Sequence, residues 1–97
     1  MSYRLTRRAA DNIREIYRRG TEIFGEAQAE AYHLHLEYVF ELIADNPQIS
    51  PERTEITPPA RVHPAGSHLV IYRLKDNGDV IIIAVPNARA DWQDNFG

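Results

Sequence analysis

The strongest constraint on this chain is a reversal written between residues 67 and 85. Residues 67–74 alternate in facing, with Leu69 and Ile71 opposite to Val70 and Tyr72. Val80-Ile81-Ile82-Ile83-Ala84-Val85 is an unbroken apolar run, mostly β-branched. Between them stands Lys75-Asp76-Asn77-Gly78-Asp79, and Asn-Gly supplies the positive φ angles of a tight hairpin turn. Alternation marks a strand with two unlike faces, whereas a continuous apolar run marks a strand covered on both. The two segments therefore predict an antiparallel hairpin whose second member is central, ended by Pro86. The rest of the chain must cover both faces of residues 80–85.

Two helices are available for that task. Thr6 suits an N-cap, and Ala9, Ala10, Ile13, Ile16 and Tyr17 follow at helical spacing with arginines between them. Ile23 and Phe24 extend the stripe past Gly20, and Gly25 ends the helix as its C′ residue. Glu26 opens a second helix, where an acid suits the positive end of the macrodipole. Ala29, Tyr32, Leu36, Val39, Phe40 and Ile43 form its main stripe, and Leu34, Tyr38 and Leu42 widen it to a second side. Asn46-Pro47 stops it. Residues 6–24 and 26–46 thus read as a helical hairpin.

Residues 2–5 form a short strand expected to join the sheet beside a later one, and residues 61–64 form the first strand of the meander. Residues 47–60, with Pro47, Pro51, Pro58 and Pro59, read as a connecting loop. The expected architecture is α+β, with an N-terminal strand and a two-helix hairpin packed on a small antiparallel sheet. At 97 residues the chain is one domain, residues 1–97.

The absence of cysteine excludes disulfides and thiolate zinc sites. Residues 1–8 lack an apolar signal core, and no apolar run nears the roughly 20 residues of a membrane span. A cytoplasmic protein with no membrane contact is expected. The net charge of -3 is unevenly laid out. Residues 1–19 hold six arginines against Asp11 and Glu15, while residues 20–58 hold eight acids against Arg53. Two helices of opposite charge attract each other. Direct DNA binding is not expected, since the total is acidic and the basic stretch lacks interleaved aromatics.

No phosphate loop, nucleophile elbow or zinc-protease helix occurs. His33 and His35, two apart on a helix, point to different sides, so no metal and no cofactor is expected. Residues 61–73 gather Arg61, His63, His68, Tyr72 and Arg73. Histidine or tyrosine for proton transfer and arginine for phosphate charge would suit RNA cleavage. Strand alternation sets His68 and Tyr72 on one face and Arg73 on the other, which favours packing roles, with Arg61 and Arg73 paired to acids.

The pattern Arg61-x-His63-Pro64-x-Gly66-x-His68-x-x-x-Tyr72-Arg73 resembles the sheet motif of RelE/ParE toxins. Tyr3-Arg4-Leu5-Thr6 with Ala9-Ala10-Asp11-x-Ile13-x-x-Ile16-Tyr17 is similar to that family's first strand and helix, and Phe24-Gly25 through Pro47 to its second helix. Arg89-Ala90-Asp91-Trp92 resembles its closing segment. The resemblance implies a toxin of a type II toxin–antitoxin module, neutralised by a ParD-like antitoxin in a hetero-oligomer. On the ParE side it implies inhibition of DNA gyrase by binding, without catalysis. On the RelE side it implies ribosome-dependent mRNA cleavage, with Arg61, His63, His68 and Arg73 as the candidate site; an inactive member would only bind antitoxin. The acidic total favours ParE, as do residues 87–97, where Arg89 is the only basic residue against Asp91 and Asp94. Leftover apolar surface nominates Tyr17, Phe24, Tyr32, Leu36 and Phe40 for antitoxin binding, and the closing segment nominates Arg89, Asp91 and Trp92 for the target.

Overall fold

In a computed structural model, which describes residues 2–90 and 92, the elements run β1 (Tyr3–Leu5), α1 (Arg7–Phe24), α2 (Glu26–Asp45), β2 (Glu52–Arg53), β3 (Ala60–Ala65), β4 (His68–Leu74) and β5 (Val80–Ala84). The strands form one sheet in the order β1-β5-β4-β3-β2. The Asn-Gly reversal joins β4 to β5 as the sequence predicts. Gly78 takes φ 91°, and the Lys75 amide donates to the Asp79 carbonyl at 2.8 Å. Val80 pairs with Tyr3 on one side and Leu74 on the other, so β5 is interior.

The sheet is mixed, however, and not wholly antiparallel: β1 pairs with β5 in parallel. Thr6 supplies the reason. Its hydroxyl accepts from the Ala9 amide at 3.1 Å, capping α1, and donates to the Ile83 carbonyl at 2.7 Å. Its own amide donates to the Ile82 carbonyl at 3.0 Å. Nearly two turns later, the Asn12 side-chain oxygen accepts from the Val85 amide at 2.9 Å. The start of α1 is thereby stapled to the exit of β5. β1, directly upstream, can reach that staple only by running in the same direction as β5.

A register irregularity near Ile71 and Tyr72 pairs these neighbours with Ala84 and Ile82, leaving Ile83 as an extra residue in β5. The irregularity sorts the apolar run between two cores. Val80, Ile82 and Val85 join Ala9, Ile13, Leu36, Val39, Phe40 and Ile43 under the helices. Ala84 and the partly buried Ile83 join Ile56, Ala60, Ile71 and Trp92 on the opposite face. Both faces of β5 are covered, the second by the 54–59 loop and the C-terminal segment. β2, a two-residue pairing with β3, lies inside the stretch read from sequence as loop.

Removing the Thr6 hydroxyl should cost about 1–3 kcal/mol, since it loses a cap and leaves a part-buried carbonyl unpaired. For a domain this size we expect Thr6→Ala to melt roughly 5–20 °C lower, with Thr6→Ser recovering most of the loss. Equal melting of all three proteins would show that the staple contributes nothing.

Candidate functional site

The polar cluster of β3 and β4 comes first, because the sequence nominates it for chemistry. Arg61 stands opposite Tyr72, His63 opposite Val70 and Ala65 opposite His68, so Arg61, His63 and His68 share the helix-facing side. Arg73 lies on the other side. Each group has a structural partner. Arg61 donates to the Ser50 carbonyl at 2.5 Å, and His63 Nδ1 meets the Ser50 hydroxyl at 2.8 Å. Tyr72, fully buried, donates to the Pro47 carbonyl at 2.8 Å, and burial pushes its phenol up. Arg73 donates to the Pro59 carbonyl at 3.4 Å. The two arginines thus hold backbone carbonyls, where the sequence reading supplied acids. These bonds tie the 47–59 loop to both faces of the strand pair.

His68 belongs to a different assembly. Its Nδ1 lies 2.6 Å from the Tyr32 hydroxyl, which also accepts from the Ser67 amide at 3.0 Å and lies 3.2 Å from the Ala65 carbonyl. In the Nε2–H tautomer of neutral His68, Nδ1 accepts from the Tyr32 hydroxyl; with a proton on Nδ1 the ring donates instead, and the phenol donates to the Ala65 carbonyl. The joint pins α2 to the β3–β4 turn. Gly66 permits it: at φ +60 a Cβ there would lie 2.8 Å from the Tyr32 ring and hydroxyl. His68 also bridges to Asn87, and the Ala88 amide donates to the Ser67 carbonyl at 2.9 Å. The turn therefore carries the chain that leaves β5.

The second candidate surface is the helical hairpin. A groove of about 500 Å³ is lined by Leu5, Ala10, Ile13, Arg14, Tyr17, Glu30 and His33. It opens between α1 and α2 beside Leu5 of the edge strand β1. The Tyr17 hydroxyl donates to Glu30 at 3.4 Å across it, and Tyr17 meets the His33 ring edge-on at 6.0 Å. At the hairpin tip Ile23 and Phe24 are 61% and 62% exposed. Arginines of α1 pair along their own helix, Arg14 with Asp11 and Arg18 with Glu15 and Glu22.

Residues 3–92 match the sequence model of the family described as ParE toxin of type II toxin-antitoxin system, parDE. The chain belongs to the ParE toxin family. It is 32% identical over 94 residues to Toxin ParE1 of Mycobacterium tuberculosis (strain ATCC 25618 / H37Rv), covering 97% of this chain and 96% of that one. With Toxin ParE1 of Caulobacter vibrioides it shares 31% over 90 residues, covering 91% and 94%. A chain of the solved structure "Chromosomal ParDE TA system from P. aeruginosa" superposes with a TM-score of 0.77 at 18% identity, over 90% of this chain and 95% of that one. That likeness is one of fold. The chain is thus the toxin component of a type II toxin–antitoxin module.

Within this ParE chain, the structure revises several nominated residues. Leu36 and Phe40 are 0% and 2% exposed and belong to the core, so they hold the sheet and are closed to a partner. Their stripe is the sheet-facing one; sequence periodicity shows that α2 has two apolar sides but not which is covered. Tyr32 is half-buried and committed to the turn. Tyr17 and Phe24 remain open to a partner. Trp92 is 9% exposed, packed in the second core beneath the Arg53 guanidinium, 5.5 Å from the ring centroid. It anchors the closing segment and does not face outward. Arg89 is exposed, and Asp91 lies outside the described residues. Sequence reasoning missed the Leu5–Tyr17–His33 groove, whose residues come from three elements with no shared motif.

Two outcomes are expected. Gly66→Ala should cost about 1–3 kcal/mol through its left-handed backbone and the Tyr32 clash. Calorimetric melts of Gly66→Ala in the Tyr32→Ala background should show a smaller loss than in the parent. A full, additive loss would rule out the contact.

The second outcome concerns pH. Burial holds both His63 and His68 below the ordinary histidine value. The unfolded chain therefore takes up protons first, so stability is complete above about pH 6.5 and falls as pH drops below it. Melts between pH 7.5 and 5 should show this slope. His63→Asn with His68→Asn should flatten it; an unchanged slope in that protein would assign the proton uptake elsewhere.

Proposed function

We propose that this ParE chain acts in the cytoplasm by docking on DNA gyrase, performs no catalysis of its own, and is silenced by a ParD-like antitoxin seated in the helical groove. One observation carries the non-catalytic reading. The four residues that would cleave RNA are split between two faces of the sheet and are each engaged in holding a loop, a turn or α2. A nuclease needs a nucleophile, a base and a charge acceptor converging on one point. Here the same groups are spent on support. Among the described residues, no helix is long and apolar enough to cross a membrane.

The antitoxin is assigned to the groove at Leu5, Ala10, Ile13 and Tyr17, extended by Phe24 at the tip. Mostly apolar walls with a few polar groups at the rim suit an amphipathic segment that orders on binding. The gyrase contact is assigned to the segment after β5, with Arg89 as its exposed charge and Trp92 as its anchor. No cofactor enters this reading.

Purified protein should inhibit gyrase supercoiling and leave a translation extract unaffected. A His63→Ala, His68→Ala double variant that still melts as a folded protein should retain growth arrest. A drop of several orders of magnitude in that folded variant would instead support RNA cleavage. Saturating antitoxin should raise the melting temperature sharply, and Tyr17→Arg should weaken that rise. An antitoxin that binds Tyr17→Arg as tightly as the parent would remove the groove assignment.

A further inference from the structure

α2 keeps a second apolar row turned away from the sheet. Leu34 and Tyr38 are 56% and 64% exposed, and Ala27 and Ala31 lie exposed on the same line. The four stand at steps of four, three and four residues, the spacing of a coiled-coil seam. The row is distinct from the groove at Tyr17, which takes only the Glu30 and His33 edge of α2. It is also flat and narrow. A surface of that form suits a helix lying along it, and suits a globular partner poorly.

Charge decides which helix. α2 carries Glu26, Glu30, Glu37, Glu41 and Asp45 and neither lysine nor arginine. Glu30 and Glu37 flank the seam on the side toward α1, and Glu41 continues its line. The last turn has no basic residue, although the negative end of the macrodipole lies there. Glu41 therefore adds like charge to a helix end that already repels it.

That arrangement disfavours a second copy of this chain. Antiparallel pairing about a two-fold would fit sterically, with Ala27 against Tyr38 and Ala31 against Leu34. It would also bring Glu30 against Glu37 of the second copy twice, along the flank the two helices share. Parallel pairing would set alanine on alanine and Glu41 on Glu41. Both orientations face acid with acid.

We propose that the outer seam of α2 is a docking surface for a cationic amphipathic helix of a partner chain. Such a helix places large apolar residues over Ala27 and Ala31 and small ones over Leu34 and Tyr38. Its lysines or arginines meet Glu30, Glu37 and Glu41. The seam shares only Glu30 with the groove assigned to the antitoxin, and variants at Leu34, Glu37 and Glu41 test it apart from that groove.

The test uses the full chain and two designed helical peptides of about 18 residues, long enough to hold helix when stapled. They share one apolar seam and differ only in carrying lysine or glutamate at the flanks. We expect the lysine peptide to bind, with amide shift changes centred on Ala27, Ala31, Leu34 and Tyr38 and affinity falling as salt rises. The glutamate peptide should bind at least about tenfold more weakly. Leu34→Glu and, separately, Glu37→Lys with Glu41→Lys should each cost the lysine peptide about tenfold or more. All these positions are exposed, and circular dichroism would confirm that each variant keeps its helix content. Equal binding of the two peptides, no binding, or shift changes at Leu5 and Tyr17 would overturn the proposal. So would a dimer of the free chain in sedimentation that Leu34→Glu dissolves, because the second copy would then be the occupant.

Discussion

The fold depends on one hydroxyl. Thr6 ends β1, caps α1 and bonds the carbonyl of Ile83, so a single side chain fixes strand direction, helix start and helix position together. Asn12 repeats the tie nearly two turns later at Val85. With its start fixed over the exit of β5, α1 leads to the Gly25 turn, and α2 returns across the sheet to bring Phe40 against Tyr3 at 5.5 Å. The groove at Leu5 and Tyr17 follows from the same geometry, because it is the space left between the stapled helix, its returning partner and the short edge strand.

Much of this was legible from the residues. Asn77-Gly78 between two apolar runs admits few structures besides the hairpin, and the run 80–85 is interior as its composition requires. Thr6 and Gly25 mark the ends of α1 because caps are local chemistry. The parallel edge was not legible, since it depends on a bond between residues 77 apart in sequence. Nor was the irregularity at Ile83. A β-branched run has no internal mark for which residue is extra, yet that residue decides which core each neighbour enters.

The polar cluster shows a related limit. Arg61, His63, His68 and Arg73 have the composition of a nuclease site, and composition is all that a sequence window reports. Geometry reassigns them. Two arginines and a histidine fasten the 47–59 loop, and the fourth group, His68, joins Tyr32 to a turn that any side chain at position 66 would strain. The proline-rich loop needs such fastening, because prolines supply no amides and the loop has only a two-residue strand to anchor it. Burial then lowers the proton affinity of both histidines, so each holds its hydroxyl partner as a neutral ring near neutral pH.

The helical hairpin carries the opposite signature. A domain of 97 residues has little apolar material to spare, and its core already takes Leu36, Val39, Phe40 and Ile43 from α2. Leaving Ile23, Phe24, Leu34 and Tyr38 in water forgoes burial that would stabilise a solitary protein by about 1.5–3 kcal/mol for each such side chain fully covered. Nothing in the fold compels the arrangement, since a polar residue at any of these helical positions would serve the sheet-facing stripe equally well. The exposed side chains are thus a feature of a protein whose stable state includes a partner. On the proposal above, the acids beside Leu34 and Tyr38 act as a filter, because repulsion opposes a second copy while a cationic helix gains along the acidic flank.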